Sequence, residues 1–265
     1  MSLLRLMVVL TSAVFATSAC ASPAAQSQGE FLAREVTVGG QIHRYQVFVP
    51  RHRDDTAGPL PTILFLHGSG ERGNDNQAQI TVGLPAHVQK HRNDFPALVV
   101  MPQAPQDSEW TQDAGPIALA ALDAAMKEFN GDPARVYLTG LSMGGYGSYE
   151  LALQQPRRFA ALVPVCGRLT VDWTDERPQM QAHSVAGAAD PFTEAATRLK
   201  DMPIWIFHGA RDDLVPPAQS RKMYAALKAA GGEVRYTEFP DANHNSWDPA
   251  YATAELWPWL FAQHR

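Results

Sequence analysis

Cysteine is nearly absent from this chain: Cys20 and Cys166 are the two in 265 residues. If the first leaves with a leader or carries a lipid, no intramolecular disulfide is available. Stability must then come from the core, which a chain of this length can bury without crosslinks. Basic clusters are missing too, and the formal net charge is −5 with 18% charged residues. That balance excludes the electrostatic footprint of a nucleic-acid partner or of an anionic membrane surface, and a small neutral substrate fits better. Metal patterns are equally sparse. His87 and His91 stand i, i+4 on a helix-like stretch, but no third ligand accompanies them, so a solvated helix face is the plainer reading and neither metal nor cofactor is called for.

Long apolar runs are confined to the N-terminus, where Arg5 precedes the apolar stretch Leu6 to Ala16 and the small residues Ala19-Cys20-Ala21. Residues 1–21 have the form of an export signal. The stretch is too short to cross a ~30 Å hydrocarbon core, which needs about 20 residues as a helix. Two processing routes fit: cleavage after Ala21, or lipidation of Cys20, since Thr17-Ser18-Ala19-Cys20 loosely resembles a lipobox without its usual leucine. The mature chain is expected to be periplasmic or secreted, with a membrane anchor only if Cys20 is lipidated.

What remains, with 45% hydrophobic residues overall, suits one α/β domain over residues 30–265. Glu35 to Pro50 alternates apolar and polar on both sides of Gly39-Gly40, a hairpin pattern. Four compact apolar runs follow, Thr62 to Leu66, Leu98 to Met101, Val136 to Leu138 and Ala160 to Val165, and read as parallel strands buried on both faces. Ile204 to Phe207 and Val234 to Phe239 flank an amphipathic helix, Ala218 to Ala230, with Gly231-Gly232 as its C-terminal cap. A last helix is expected over Ala252 to Gln263. Residues 167–199 lack periodicity and read either as a cap over a site or as a surface loop. The pattern predicts a mostly parallel sheet with an antiparallel start and helices on both faces, with its site at the strand C-termini.

The chemistry concentrates at Gly140-Leu141-Ser142-Met143-Gly144. A G-x-S-x-G turn between a strand and a helix lifts the serine hydroxyl above the sheet, and the glycines permit the turn. Met143 would offer its backbone N–H to an oxyanion. A serine hydroxyl needs a base and a carboxylate that orients the base. Downstream, His244 follows the run ending at Phe239, and Asp212 and Asp213 follow the run ending at Phe207; spacing alone does not separate the two aspartates.

Taken together, Gly140 to Gly145, His208 to Pro216 and Asn243 to Asp248 resemble the α/β-hydrolase superfamily, in particular secreted esterases of the carboxylesterase and phospholipase kind and the catalytic domains of prolyl-oligopeptidase-like proteins. The resemblance runs from about Tyr45 to the C-terminus. It implies an α/β-hydrolase fold and selects Asp212, which holds the register of an H-G-x-x-D-x-x-V-P pattern. It also implies a second oxyanion donor in the loop Leu66 to Gly73, with Ser69 first and Gly70 next. His67 and His208 read as hydrogen-bonded structural residues. Trp110 and Trp247 either line the substrate pocket or pack the core.

The resulting expectation is a serine hydrolase that cleaves carboxylic esters through an acyl-enzyme on Ser142, with His244 as base and Asp212 as its orienting acid. An ester on a sugar or polysaccharide is the substrate the resemblance suggests. The same triad serves a small-peptide peptidase, and an inactive binding scaffold is a further alternative. Oligomeric state is not readable from the chain.

Overall fold

The computed structural model describes residues 28–51, 58–171 and 180–265. The export-signal reading of residues 1–21, with Cys20, lies outside the described residues, as do Trp173 and Pro178.

The chain opens on the antiparallel pair β1 (Glu30–Val38) and β2 (Gln41–Val49), turning at Gly39 and Gly40, both at positive φ. Then come β3 (Leu60–Leu66), α1 (Leu84–Lys90), β4 (Leu98–Pro102), α2 (Ala114–Glu128), β5 (Gly131–Leu141), α3 (Met143–Gln154) and β6 (Ala161–Val165). After β6 follow α4 (Pro191–Leu199), β7 (Ile204–Gly209), α5 (Ala218–Ala229), β8 (Val234–Phe239), α6 (Trp247–Tyr251) and α7 (Leu256–Phe261). The strands form one sheet in the order β1-β2-β4-β3-β5-β6-β7-β8. β2 meets β4 antiparallel, and every later pairing is parallel.

Burial on both faces explains the near-continuous apolar runs. Leu64, Leu66, Val100, Val136 and Leu138 join one core, under α2, α3, α4 and α5. Their neighbours Ile63, Phe65, Val99, Met101 and Tyr137 join the other, under α1, α6 and α7. Each strand thus alternates between two apolar layers, as parallel sheets covered on both faces do.

One expectation changes. The final helix is shorter than Ala252 to Gln263, because Pro258 has no N–H and its ring excludes a helical turn before it; α7 begins at Leu256, which keeps Pro258 in the first turn. Within 167–199, α4 is the crossover helix between β6 and β7, packed against α3 and α5 in the helical layer. The cap of α5 is as expected: Gly231 has φ 80°, and Gly232 N–H reaches the carbonyl of Leu227 at 2.9 Å.

Candidate active site

The end of β5 is bent over on itself. Ser142 sits between β5 and α3 at φ 52°, ψ −115°, a backbone state costing a non-glycine residue about 1–3 kcal/mol. The surroundings hold it there. Ser142 N–H donates to the carbonyl of Val165 at 3.0 Å, and its own carbonyl accepts from Gly145 N–H at 2.8 Å and Tyr146 N–H at 3.2 Å. The flanking glycines are required by close approach: a Cβ on Gly140 would overlap the carbonyl of Gly144, and one on Gly144 would overlap that of Leu66. The turn leaves the first two N–H groups of α3, those of Met143 and Gly144, without intrahelical acceptors.

The loop after β8 brings His244 over the serine. His244 Nε2 lies 2.9 Å from Ser142 Oγ, and its Nδ1 lies 2.8 Å from Asp212 Oδ2. Asp212 is buried in the loop between β7 and α5. Its Oδ1 accepts from Leu214 N–H at 3.0 Å and Val215 N–H at 2.9 Å, and His208 Nε2 stands 3.1 Å from Oδ2. Burial alone would raise the Asp212 pKa, but the bonds from His208, His244 and Val215 outweigh it and hold the carboxyl well below the usual range. Asp213, the neighbour that spacing alone could not separate, is exposed.

Cys166 comes close as well. Its Sγ, an Asp212 oxygen and a His244 nitrogen all lie within 4.8 Å of one another. The thiol is fully buried just past the end of β6, and burial pushes its pKa up to about 12. A neutral thiol is neither a good nucleophile nor a metal ligand, and both nitrogens of His244 already face Ser142 and Asp212. Cys166 packs the floor of the site.

The loop between β3 and α1 approaches from the other side. Ser69 to Glu71 forms a single 3-10 turn beside Ser142, and the place a Gly68 Cβ would take is 3.7 Å from Ser142 Cβ. This loop is pinned by side chains. His67 Nδ1 lies 2.6 Å from the carbonyl of Gly68, and its Nε2 accepts from Ala104 N–H at 2.9 Å. Burial lowers the His67 pKa to about 4, so it stays neutral and structural. Gln103 Nε2 donates to the Glu71 carbonyl at 3.0 Å. Trp110 is fully buried, donates from Nε1 to the His67 carbonyl at 2.9 Å and lies against Gly147 of α3. With no exposed surface, it supports the loop from behind. Trp247 is half-buried, its ring edge-on to His244 at 5.6 Å between centroids and 88° between planes.

Other candidates have structural places. His208 Nδ1 meets Ser220 Oγ at 2.7 Å inside the core. His87 is not on a solvated face: its ring stacks on Trp257 at 5.2 Å and lies 4.4 Å from His91. A hollow of about 610 Å³ lined by Asp123, Arg157, Arg158 and Arg265 opens at the other end of the strands, away from Ser142.

Motif reading misses Arg72, Glu109 and Tyr146. Arg72 Nε donates to the Ser69 carbonyl at 3.1 Å and its Nη1 lies 3.4 Å from Glu109 Oε1, while Tyr146 OH donates to Glu109 Oε2 at 2.8 Å. No local pattern joins residues so far apart in the chain.

Comparison with known proteins places this geometry in context. Residues 109–263 match the model of the prolyl oligopeptidase family. The chain is 30% identical over 141 residues to the uncharacterized peptidase YuxL of Bacillus subtilis (strain 168), covering 48% of this chain and 21% of that protein. It is 25% identical over 236 residues to the bifunctional acetylxylan esterase/xylanase XynS20E of Neocallimastix patriciarum, covering 82% of this chain and 29% of that protein. Among solved structures, the crystal structure of a thermostable esterase superposes with a TM-score of 0.73 at 31% identity, covering 89% of this chain and 63% of that one. The chain thus spans less than a third of the length of the two curated relatives.

Proposed function

The chain belongs to the prolyl oligopeptidase family of serine-hydrolase folds, and from that premise we propose that it hydrolyses carboxylic esters through an acyl-enzyme on Ser142. The observation that carries the reading is the unbroken line from Ser142 Oγ to His244 Nε2 at 2.9 Å and from His244 Nδ1 to Asp212 at 2.8 Å.

In this mechanism His244 takes the hydroxyl proton as Ser142 Oγ attacks the ester carbonyl. Asp212 holds the imidazole in the tautomer with its proton on Nδ1 and stabilises the imidazolium that forms. The tetrahedral oxyanion is received by the N–H of Met143 and the N–H of Ser69; one such donor is worth about 2.7 to 4 kcal/mol of barrier. His244 then protonates the leaving alcohol, and water, activated by the same imidazole, releases the acid.

For the substrate, we propose an acyl ester carried by a carbohydrate. The acetylxylan esterase named among the relatives supports that class, and it agrees with the export-signal reading of residues 1–21, on which we propose that the enzyme works outside the cytoplasm. N-terminal sequencing of the mature protein checks the second point: a start at Ser22 or a lipidated Cys20 agrees, and retention of Met1 contradicts it.

The test is hydrolysis of a p-nitrophenyl ester series from acetate to palmitate and of acetylated xylan, beside aminoacyl p-nitroanilides and a Ser142→Ala control. Ester turnover lost in the control supports the proposal. Anilide turnover without comparable ester turnover replaces it with the small-peptide peptidase that the family's name and YuxL favour.

A further inference from the structure

The two walls that would receive the oxyanion belong to different parts of the fold. One is the loop Leu66 to Gly73 after β3; the other is the first turn of α3, which carries Met143. A hydrogen bond to an oxyanion strengthens catalysis only if both donors are held where the charge develops, and misplacement by about 1 Å can cost on the order of 10²-fold. What fixes their spacing is therefore a functional question, and it rests on the ester-hydrolase reading above.

One chain of contacts crosses directly from wall to wall. Arg72 Nε donates to the Ser69 carbonyl at 3.1 Å, holding the Ser69–Gly70 peptide directly after the one that carries the Ser69 N–H. Its Nη1 stands 3.4 Å from Glu109 Oε1. The other oxygen of Glu109 accepts from Tyr146 OH at 2.8 Å, and Tyr146 lies three residues after Met143 in the first turn of α3. Glu109 and Tyr146 are buried, whereas Arg72 is partly open. Burial and the facing Glu109 carboxylate push the Tyr146 pKa up, so the phenol keeps its proton and acts as the donor. Glu109 thus has one oxygen for each wall, and both of its oxygens and the Tyr146 hydroxyl have partners.

We propose that Arg72, Glu109 and Tyr146 form a positioning bridge that sets the distance between the Ser69 and Met143 oxyanion donors. None of the three touches the substrate. The bridge acts through the loop peptide at one end and the α3 backbone at the other, so its loss is felt as the oxyanion forms rather than when the substrate binds. Trp110, packed between the loop and Gly147, keeps the walls in contact; the bridge adds the directional part that packing does not supply.

The test uses Glu109→Gln, Tyr146→Phe and the double variant in the mature protein. Tyr146→Phe is nearly isosteric and covers the case in which Glu109→Gln does not fold. For each variant, active sites are titrated with a fluorophosphonate, kcat and KM are measured on p-nitrophenyl butyrate, and the inhibition constant of an alkyl trifluoromethyl ketone is determined. Glu255→Gln, an exposed single-charge change, is the control.

Each single variant is expected to lose 10- to 100-fold in kcat per titrated site, with KM within about threefold. Affinity for the trifluoromethyl ketone, which forms a tetrahedral oxyanion adduct, should fall by the same factor as kcat/KM. The double variant should be no worse than the poorer single one, because both cut the same chain. A bridge with only a structural role would lower the melting temperature and the titratable fraction while leaving kcat per site and ketone affinity unchanged, and that result overturns the proposal. Loss confined to KM overturns it as well. Absence of ester turnover in the unmodified protein would instead reject the ester-hydrolase reading itself.

Discussion

A Cβ on Gly144 would overlap the carbonyl oxygen of Leu66, the last residue of β3. The start of α3 and the end of β3 are therefore in backbone contact, and that contact has no side chain that could move aside. Gly144→Ala must push the two walls apart. The expected outcome is a loss of at least about 100-fold in kcat per active site, accompanied by a lower melting temperature. Turnover and thermal unfolding measured on the same preparation check both parts.

Asp212 accepts from His244 on one side and from Val215 N–H and His208 on the other. Asp212→Asn presents an amide that no longer selects the His244 tautomer with its proton on Nδ1. By analogy with the protease triad, kcat should fall by about 10⁴-fold. Steady-state kinetics on a p-nitrophenyl ester decide it, and a loss under tenfold would mean that another group orients the imidazole.

The same carboxylate makes stability depend on acid. Its folded pKa lies below the unfolded value of about 3.9. Its stabilising contribution is therefore complete above that unfolded value and is lost as the pH falls through the folded one. Urea unfolding between pH 6 and pH 2 should show a steeper acid decline for the unmodified protein than for Asp212→Asn. Parallel curves would contradict the assignment.

Cys166 stands within 4.8 Å of the same histidine and aspartate, but as a buried neutral thiol with its pKa near 12. Native protein should resist iodoacetamide at pH 8 and react only when unfolded. Cys166→Ala should retain turnover within about threefold, where Ser142→Ala loses it by several orders of magnitude. Mass spectrometry and kinetics give the two readouts.

Trp247 meets the His244 ring edge-on at 5.6 Å and remains half-exposed. Trp247→Ala frees one side of the imidazole and opens the rim of the site. Aromatic pairs of this kind are worth about 0.5–1.5 kcal/mol, so kcat/KM should fall roughly threefold to tenfold. The optimum of a p-nitrophenyl ester series should shift toward longer chains; an unchanged profile would show that the substrate does not reach this ring.

The parts of the molecule legible in its sequence are those governed by local rules. The strands β3 to β7 announce themselves because burial on both faces demands unbroken apolar runs, and the elbow does so because Gly140 and Gly144 have no sterically allowed replacement. His244 and the pair Asp212 and Asp213 are legible through their order and their positions after strands, and the family resemblance is what selects Asp212 from the pair. The final helix reads longer in the sequence than it is, because Pro258 confines its start to Leu256. Arg72, Glu109 and Tyr146 were missed for a different reason: each looks like an ordinary polar residue until the fold closes a loop of 37 residues between Arg72 and Glu109, and another of 37 between Glu109 and Tyr146. Trp110 likewise could be assigned to packing only once its indole was placed against His67.

Ser142 is the residue proposed to be acylated. Reaction of the mature protein with a fluorophosphonate, followed by tryptic digestion and mass spectrometry, tests this most directly. A single adduct on Ser142, absent from Ser142→Ala and slowed in Asp212→Asn, is the predicted result; an adduct on another residue, or none in folded protein, would contradict it.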